Sequence, residues 1–248
     1  MPSVLNAPYF QDEEAAYAKL ESIVWPHGPV CPHCGVMEKM KRMGGAATRP
    51  GLYKCYACRK QSRVTVGTVF ESSHIKLHVW LQAVFLICSS KKGISSNQLA
   101  RVLGLTVKSA WFMSHRIREA MATGTLPPMG GEGKVVEIDE TFIGNKKGVA
   151  VKRGYRHKNV VLTLVERGGS ARSFHVDGVS AKDLLPIKRG MKWIYQHCSE
   201  RHLHRYVAEF DFRYSNRMKL GVDDKARTKN ALTGIVGKRL MYKDSLRA

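Results

Sequence analysis

The chain has 248 residues, and its 41 Lys+Arg against 20 Asp+Glu give a formal charge of +21; 44% hydrophobic and 25% charged residues are ordinary for a globular protein. This composition excludes global disorder and points to a polyanionic partner, nucleic acid first and an anionic membrane surface second. Six cysteines are too few for a secreted disulfide scaffold. The longest apolar stretch, Val79 to Cys88, is shorter than the roughly 20 residues that span a bilayer, and no signal-peptide pattern is seen, so a cytoplasmic protein with no membrane partner is expected.

Residues 1–72 are rich in Gly and Pro and hold two cysteine pairs, Cys31-Pro-His-Cys34 and Cys55-Tyr-Ala-Cys58, with 20 residues between them. A CxxC turn presents two thiolates at one corner, and two such turns on short hairpins supply the four soft donors that tetrahedral zinc takes. Redox dithiols are the competing reading; the spacing within and between the pairs favours structural zinc, which would supply folding energy that so small a module lacks. His33 lies inside the first pair, but four cysteines already fill the shell. Gln61 to Phe70 is strand-like and follows the second pair. Arg42, Arg49, Lys54, Arg59, Lys60 and Arg63 surround the cysteines as a solvated surface or as phosphate contacts. Taken as a cluster they favour the second, with Arg59, Lys60 and Arg63 as the DNA-contact candidates.

Residues 73–123 read as helical. Ile75 to Cys88 carries an apolar stripe, with Cys88 as a small buried hydrophobe. The segment ISSNQLARVLGLTVKSAWFMSHRIREAM then reads as two helices. Ser95 or Ser96 caps the first, which runs through Val102; Gly104 takes the turn; Thr106 caps the second. An ordinary helical hairpin and a helix-turn-helix both fit, and the net charge favours the latter. That unit would place Thr106, Lys108 and Ser109 near base edges of double-stranded DNA, and His115, Arg116 and Arg118 nearer phosphates. Residues 124–133, dense in Pro and Gly, read as a linker.

From residue 134 to 248 the period changes. KVVEIDETFIG, VVLTLVERGG and ARSFHVDGV read as three strands, and from Ser180 the pattern is helical again. Period 2 puts Glu137, Asp139 and Thr141 on one strand face. A carboxylate there is costly unless it is solvated, paired or bound to a cation, so Asp139 is either an edge-strand aspartate facing water or a magnesium ligand. Cys198 lies near His197, His202 and His204, read as a polar helix face rather than a second metal site. The expected fold class is α+β: a zinc ribbon, a helix-turn-helix-like middle and a C-terminal sheet with helices.

The blocks CPHCG, YKCYACRKQSRVTVGTVFE, HVWLQAVFLICSSKKGISSNQLARVLG, AWFMSHRIREAM, EIDETFIGNKKG, HKNVVLTLVERGG, SFHVDG and YQHCSERHLHRYVAEFDFRYSNR resemble, in order and over nearly the whole chain, transposases of bacterial insertion sequences. The group is the one with a zinc ribbon and an ISXO-like, DDE-type catalytic domain. The resemblance implies an RNase H-like sheet on which three residues hold two Mg²⁺ for strand cleavage and transfer, and Asp139 in EIDETFIG matches the first ligand. It also implies binding to double-stranded DNA at the element's terminal repeats, and it leaves a homo-oligomer open.

The sequence departs from the pattern after SFHVDGVSAKDLLPI, which passes straight into KRGMKWIYQHCSERHLHRY. In the family these blocks flank a segment with the fourth and fifth strands and the start of a late helix, where the second and third ligands sit. Lys188 matches the basic residue after the third ligand. Asp177, Asp183, Glu209 and Asp211 occupy no matched ligand position. The 134–248 region is therefore expected to be an incomplete RNase H-like domain with Lys134–Gly144 as an edge strand. The expected activity is DNA binding without strand transfer, and a non-catalytic binder or repressor at element ends is the alternative.

Overall fold

The computed structural model describes residues 3–45, 47–90, 92–122, 129, 135–176 and 200–241. Its elements are α1 (Glu13–Val24), β1 (Met40–Arg42), β2 (Tyr53–Cys55), β3 (Gln61–Ser62), α2 (Leu77–Ser89), α3 (Ser96–Leu103), α4 (Val107–Met121), β4 (Val136–Ile143), β5 (Asn159–Glu166), β6 (Ala171–Val176), α5 (Glu200–Ser215) and α6 (Asp224–Thr233). The class is α+β, as the sequence indicates.

Local chemistry sets the helix ends. Asp12 caps α1 by accepting from the Ala15 N–H at 2.7 Å. Lys76, at the N-cap of α2, has no side chain that can accept. Glu13 of α1 fills that role from outside, accepting from the Leu77 N–H at 2.9 Å and the His78 N–H at 3.3 Å. Amide donors left over at one helix start thus fasten two helices together. Ser95 and Thr106 cap α3 and α4, and Gly104, at φ +65°, turns the chain between them. A left-handed residue at that place is the ordinary helix stop, and glycine takes it without steric cost.

The main core crosses the expected module boundaries. α1 contributes Ala16, Tyr17 and Leu20; α2 contributes Trp80, Leu81, Val84 and Ile87; α4 contributes Ala110, Met113 and Ile117. α6 returns from the far end of the chain with Ala231 and Leu232 to the same cluster. Arg227 of α6 donates to the Cys88 carbonyl at 2.8 Å. The strand expected over Gln61 to Phe70 shrinks to Gln61–Ser62. Beyond it, turns closed by Val66 N–H to Arg63 C=O and by Thr68 N–H to Thr65 C=O aim Val64, Val69 and Phe70 into the helical core. The linker expected at 124–133 lies outside the described residues except for Met129.

Two sheets result, each antiparallel, in orders β1-β2-β3 and β4-β5-β6. α5 covers one face of the second: Leu203, Tyr206 and Val207 pack on Ile143 and Val161. Among the described residues β4 pairs on one side only, with β5.

Candidate zinc centre and nucleic-acid interface

β1 and β2 place Met40 opposite Cys55 and Arg42 opposite Tyr53, so the strand pair turns Met40, Tyr53 and Cys55 toward a small cluster that also holds Cys31. Trp25, at the end of α1, closes it edge-on against Tyr53 at 5.3 Å. The Sγ atoms of Cys31 and Cys58 stand 3.7 Å apart, as do those of Cys34 and Cys55, and all four lie within 4.8 Å of one another. A tetrahedron with Zn–S bonds of about 2.3 Å has edges of about 3.8 Å, so the four thiols fit a structural zinc ion. N–H groups of Cys58 and Ala57 pull the Cys55 thiol down to about 7, while that of Cys34, despite the Val36 N–H, is pushed up to about 12 by desolvation and the neighbouring thiols. Among the described residues this is the one group of three or more metal donors; His33 is not in it.

Each knuckle ends on a left-handed residue. After Cys34 it is Gly35 at φ +74°; after Cys58 it is Arg59 at φ +60°. Arg59 and Lys60 are exposed, as are Arg42 and Arg49. Arg63 is half-buried: it donates to the Tyr17 hydroxyl at 2.8 Å and lies over that ring. Arg42 pairs with Glu14.

On the helical hairpin, Thr106 and Lys108 are exposed at the start of α4, next to Val107, which is also exposed. Thr106 Oγ1 accepts from the Ser109 N–H at 3.1 Å and donates to the Ser109 hydroxyl at 2.9 Å.

His115, Arg116 and Arg118 do not stand where phosphate contacts require. All three are buried. His115 is enclosed by Trp111, His202 and Tyr206, and burial, with Arg118 nearby, drives its imidazole down to about 2. Arg116 donates to the Glu71 carbonyl at 2.6 Å and lies over the Trp80 ring. Arg118 pairs with Glu209 of α5 at 2.5 Å, donates to Ser114 Oγ at 3.0 Å and covers the Tyr206 ring at 4.2 Å. α5 closes on this face of α4, a contact that a reading of α4 by itself has no means to foresee.

Asp139 projects from β4 opposite Thr163 of β5, and Thr163 stands opposite Ser173 of β6, so the three share the face covered by α5. Thr163 and Ser173 hydroxyls are 2.9 Å apart, and Asp211 of α5 accepts from the Ser173 N–H and Oγ, both at 2.7 Å. Among the described residues no group of three or more metal donors includes Asp139, which is thus not part of a three-donor set of the kind the resemblance implies for magnesium. Cys198 and His197 lie outside the described residues.

The sequence reading missed Tyr56 and Lys41, which the ribbon sheet brings together with Lys54. Their alternation along KRM and YKCY is the signal that was available, once β1 and β2 are paired.

Residues 11–61 match the family model of the transposase zinc-ribbon domain of the IS1595 group. Over 178 residues the chain is 29% identical to an uncharacterized protein in transposable element ISH50 of Halobacterium salinarum, covering 72% of this chain and 54% of that protein. The chain thus spans about half the length of this relative. No solved structure matches it. Among the described residues no helix is long and apolar enough to cross a membrane. Residues 11–61 are therefore similar to a transposase zinc-ribbon domain, in a chain similar over 178 residues to a protein of a transposable element.

Proposed function

We propose that this protein is a transposase-type DNA-binding protein of an insertion element, which holds double-stranded DNA at the element's ends and does not cut it. The observation that carries the reading is the ribbon: four thiols at zinc spacing, in a segment matching the transposase zinc-ribbon family. The charge of +21 supports a polyanionic partner.

Two surfaces serve binding in this reading. The ribbon offers Arg59 and Lys60 to phosphates. α3 and α4 act as a helix-turn-helix, with Thr106, Lys108 and Ser109 at base edges. The non-cutting reading rests on Asp139 being the one position in the sequence that matches a family metal ligand: Mg²⁺ keeps most of its waters on a single carboxylate. The incomplete sheet behind Asp139 is RNase H-like in this reading.

The test is duplex binding followed by fluorescence anisotropy as salt is raised. Affinity is expected to fall about tenfold or more between 50 and 200 mM salt, as release of several counterions requires. Lys108→Ala should change the preferred sequence, while Lys60→Ala should weaken all sequences alike. Affinity indifferent to salt would overturn the electrostatic reading. Mg²⁺-dependent nicking that Asp139→Ala abolishes would overturn the non-cutting one.

A further inference from the structure

The ribbon's small sheet has two faces with different roles. Met40, Tyr53, Cys55 and Ser62 are buried. Lys41 stands opposite Lys54, and Lys54 opposite Gln61, on the other face. The Tyr56 N–H donates to the Lys39 carbonyl at 2.8 Å, which extends the β1–β2 ladder by one pair and brings Lys39 and Tyr56 onto that same outward face.

This face is unusual for a surface shaped by folding alone. Tyr56 is 58% exposed. The ammonium groups of Lys41 and Lys54 lie 5.8 and 5.5 Å from its ring centroid. Like charges directly opposite each other across strands are destabilising, and among the described residues no carboxylate pairs with Lys39, Lys41 or Lys54. Arg59 and Lys60, both exposed, follow Tyr56 within the same knuckle. The sheet thus presents one exposed aromatic ring with two unneutralised lysine ammonium groups over it.

We propose that this face, Lys39, Lys41, Lys54 and Tyr56, holds an unpaired nucleotide of a DNA strand, with its base stacked on the Tyr56 ring and its flanking phosphates on the lysines. The charge calls for a polyanion. The ring selects the form of that polyanion. Bases in an intact duplex stack on each other and turn only their edges to the grooves, whereas an unpaired base offers a flat face to an exposed aromatic side chain. The inference rests on the DNA-binding reading above and adds to it a preference for unpaired ends or junctions over blunt duplex.

The experiment uses the full zinc-loaded chain and three labelled probes: a blunt duplex, the same duplex with a four-nucleotide single-stranded overhang, and the single strand alone. Stacking of one base corresponds to about 5- to 150-fold in affinity, so the overhang probe should bind at least about fivefold tighter than the blunt one. Tyr56→Ala should abolish that preference and leave blunt-duplex affinity within about twofold. Tyr56→Phe should keep it. Lys41→Glu with Lys54→Glu should weaken both duplex probes. Unchanged zinc content in each variant shows that the ribbon stays folded. Equal affinity for blunt and overhang probes, or a preference that survives Tyr56→Ala, overturns this inference and leaves the duplex-binding reading standing. No binding to any probe overturns both.

Discussion

His115 and Arg59 show how single residues depart from what their type suggests. His115 is basic in principle, yet among Trp111, His202 and Tyr206 it is held neutral, with its pKa at about 2 chiefly through burial. In the unfolded chain it binds a proton below its ordinary 6.5. Stability should therefore fall as pH drops from about 6.5, by up to about 1.4 kcal/mol per unit from this group. Asp211 acts in the opposite sense. Burial raises it from 3.8 to about 6, so its contribution is present in acid and is lost as pH rises through that interval. Urea midpoints measured against pH should show a flatter acid side for His115→Phe, and no loss between about pH 4 and 6 from this group for Asp211→Asn. Arg59 holds φ at +60° where its counterpart in the first knuckle is Gly35. A side chain in that region costs about 1–2 kcal/mol, part of which glycine gives back through its freer unfolded state. Arg59→Gly is expected to stabilise the zinc-loaded protein by about 0.5–1 kcal/mol in thermal unfolding while weakening DNA binding at low salt. A gain in both would remove Arg59 from the interface.

The ribbon is the element whose stability depends most on metal. Its strands are two or three residues long, and its own buried cluster is Cys31, Met40, Tyr53 and Cys55. Hydrophobic burial on that scale does not offset the chain entropy of the loops it closes. One zinc per chain is expected by elemental analysis. Chelation should release Trp25 from its edge contact with Tyr53 and shift tryptophan emission to the red, while helical circular dichroism from α2–α4 largely persists. Cys31→Ser should reproduce the chelated state. A folded, metal-free preparation with native Trp25 emission would refute a structural zinc. The spacing of the cysteines made this element legible in the sequence, because the donors lie within two short turns. α1 was not legible: its apolar positions Ala16, Tyr17 and Leu20 are few, and its role in capping α2 through Glu13 is a long-range contact.

At the scale of the molecule, α5 and α6 bind the two ends of the chain together. Glu209 of α5, fully buried, accepts the ion pair from Arg118 of α4 and a second from Arg213 at 2.8 Å. Removing one member leaves a buried charge without its partner, which costs about 3–5 kcal/mol. Arg118→Ala and Glu209→Ala should each lower urea stability by that order, and the double variant by less than their sum. Any loss of DNA binding in Arg118→Ala should then track loss of folding, and restoring stability by lowering temperature should restore binding. Full stability with selective loss of binding would return Arg118 to the interface.

The sequence by itself determined what local spacing and local chemistry control. Two CxxC turns specify the zinc donors, Ser95, Gly104 and Thr106 specify the helical hairpin, and β-branched alternation specifies β4, β5 and β6. The +21 charge favours a polyanionic partner. Tertiary structure alone decided which basic residues remain at the surface. Arg116 and Arg118 have the same composition and helical setting as exposed arginines, and only the packing of Trp80 and of α5 against α4 encloses them. It also decided that Tyr56, Lys41 and Lys54 share one face, since that depends on the pairing register of β1 with β2. Burial and register are properties of contacts between distant segments, so composition and periodicity within one segment do not carry them.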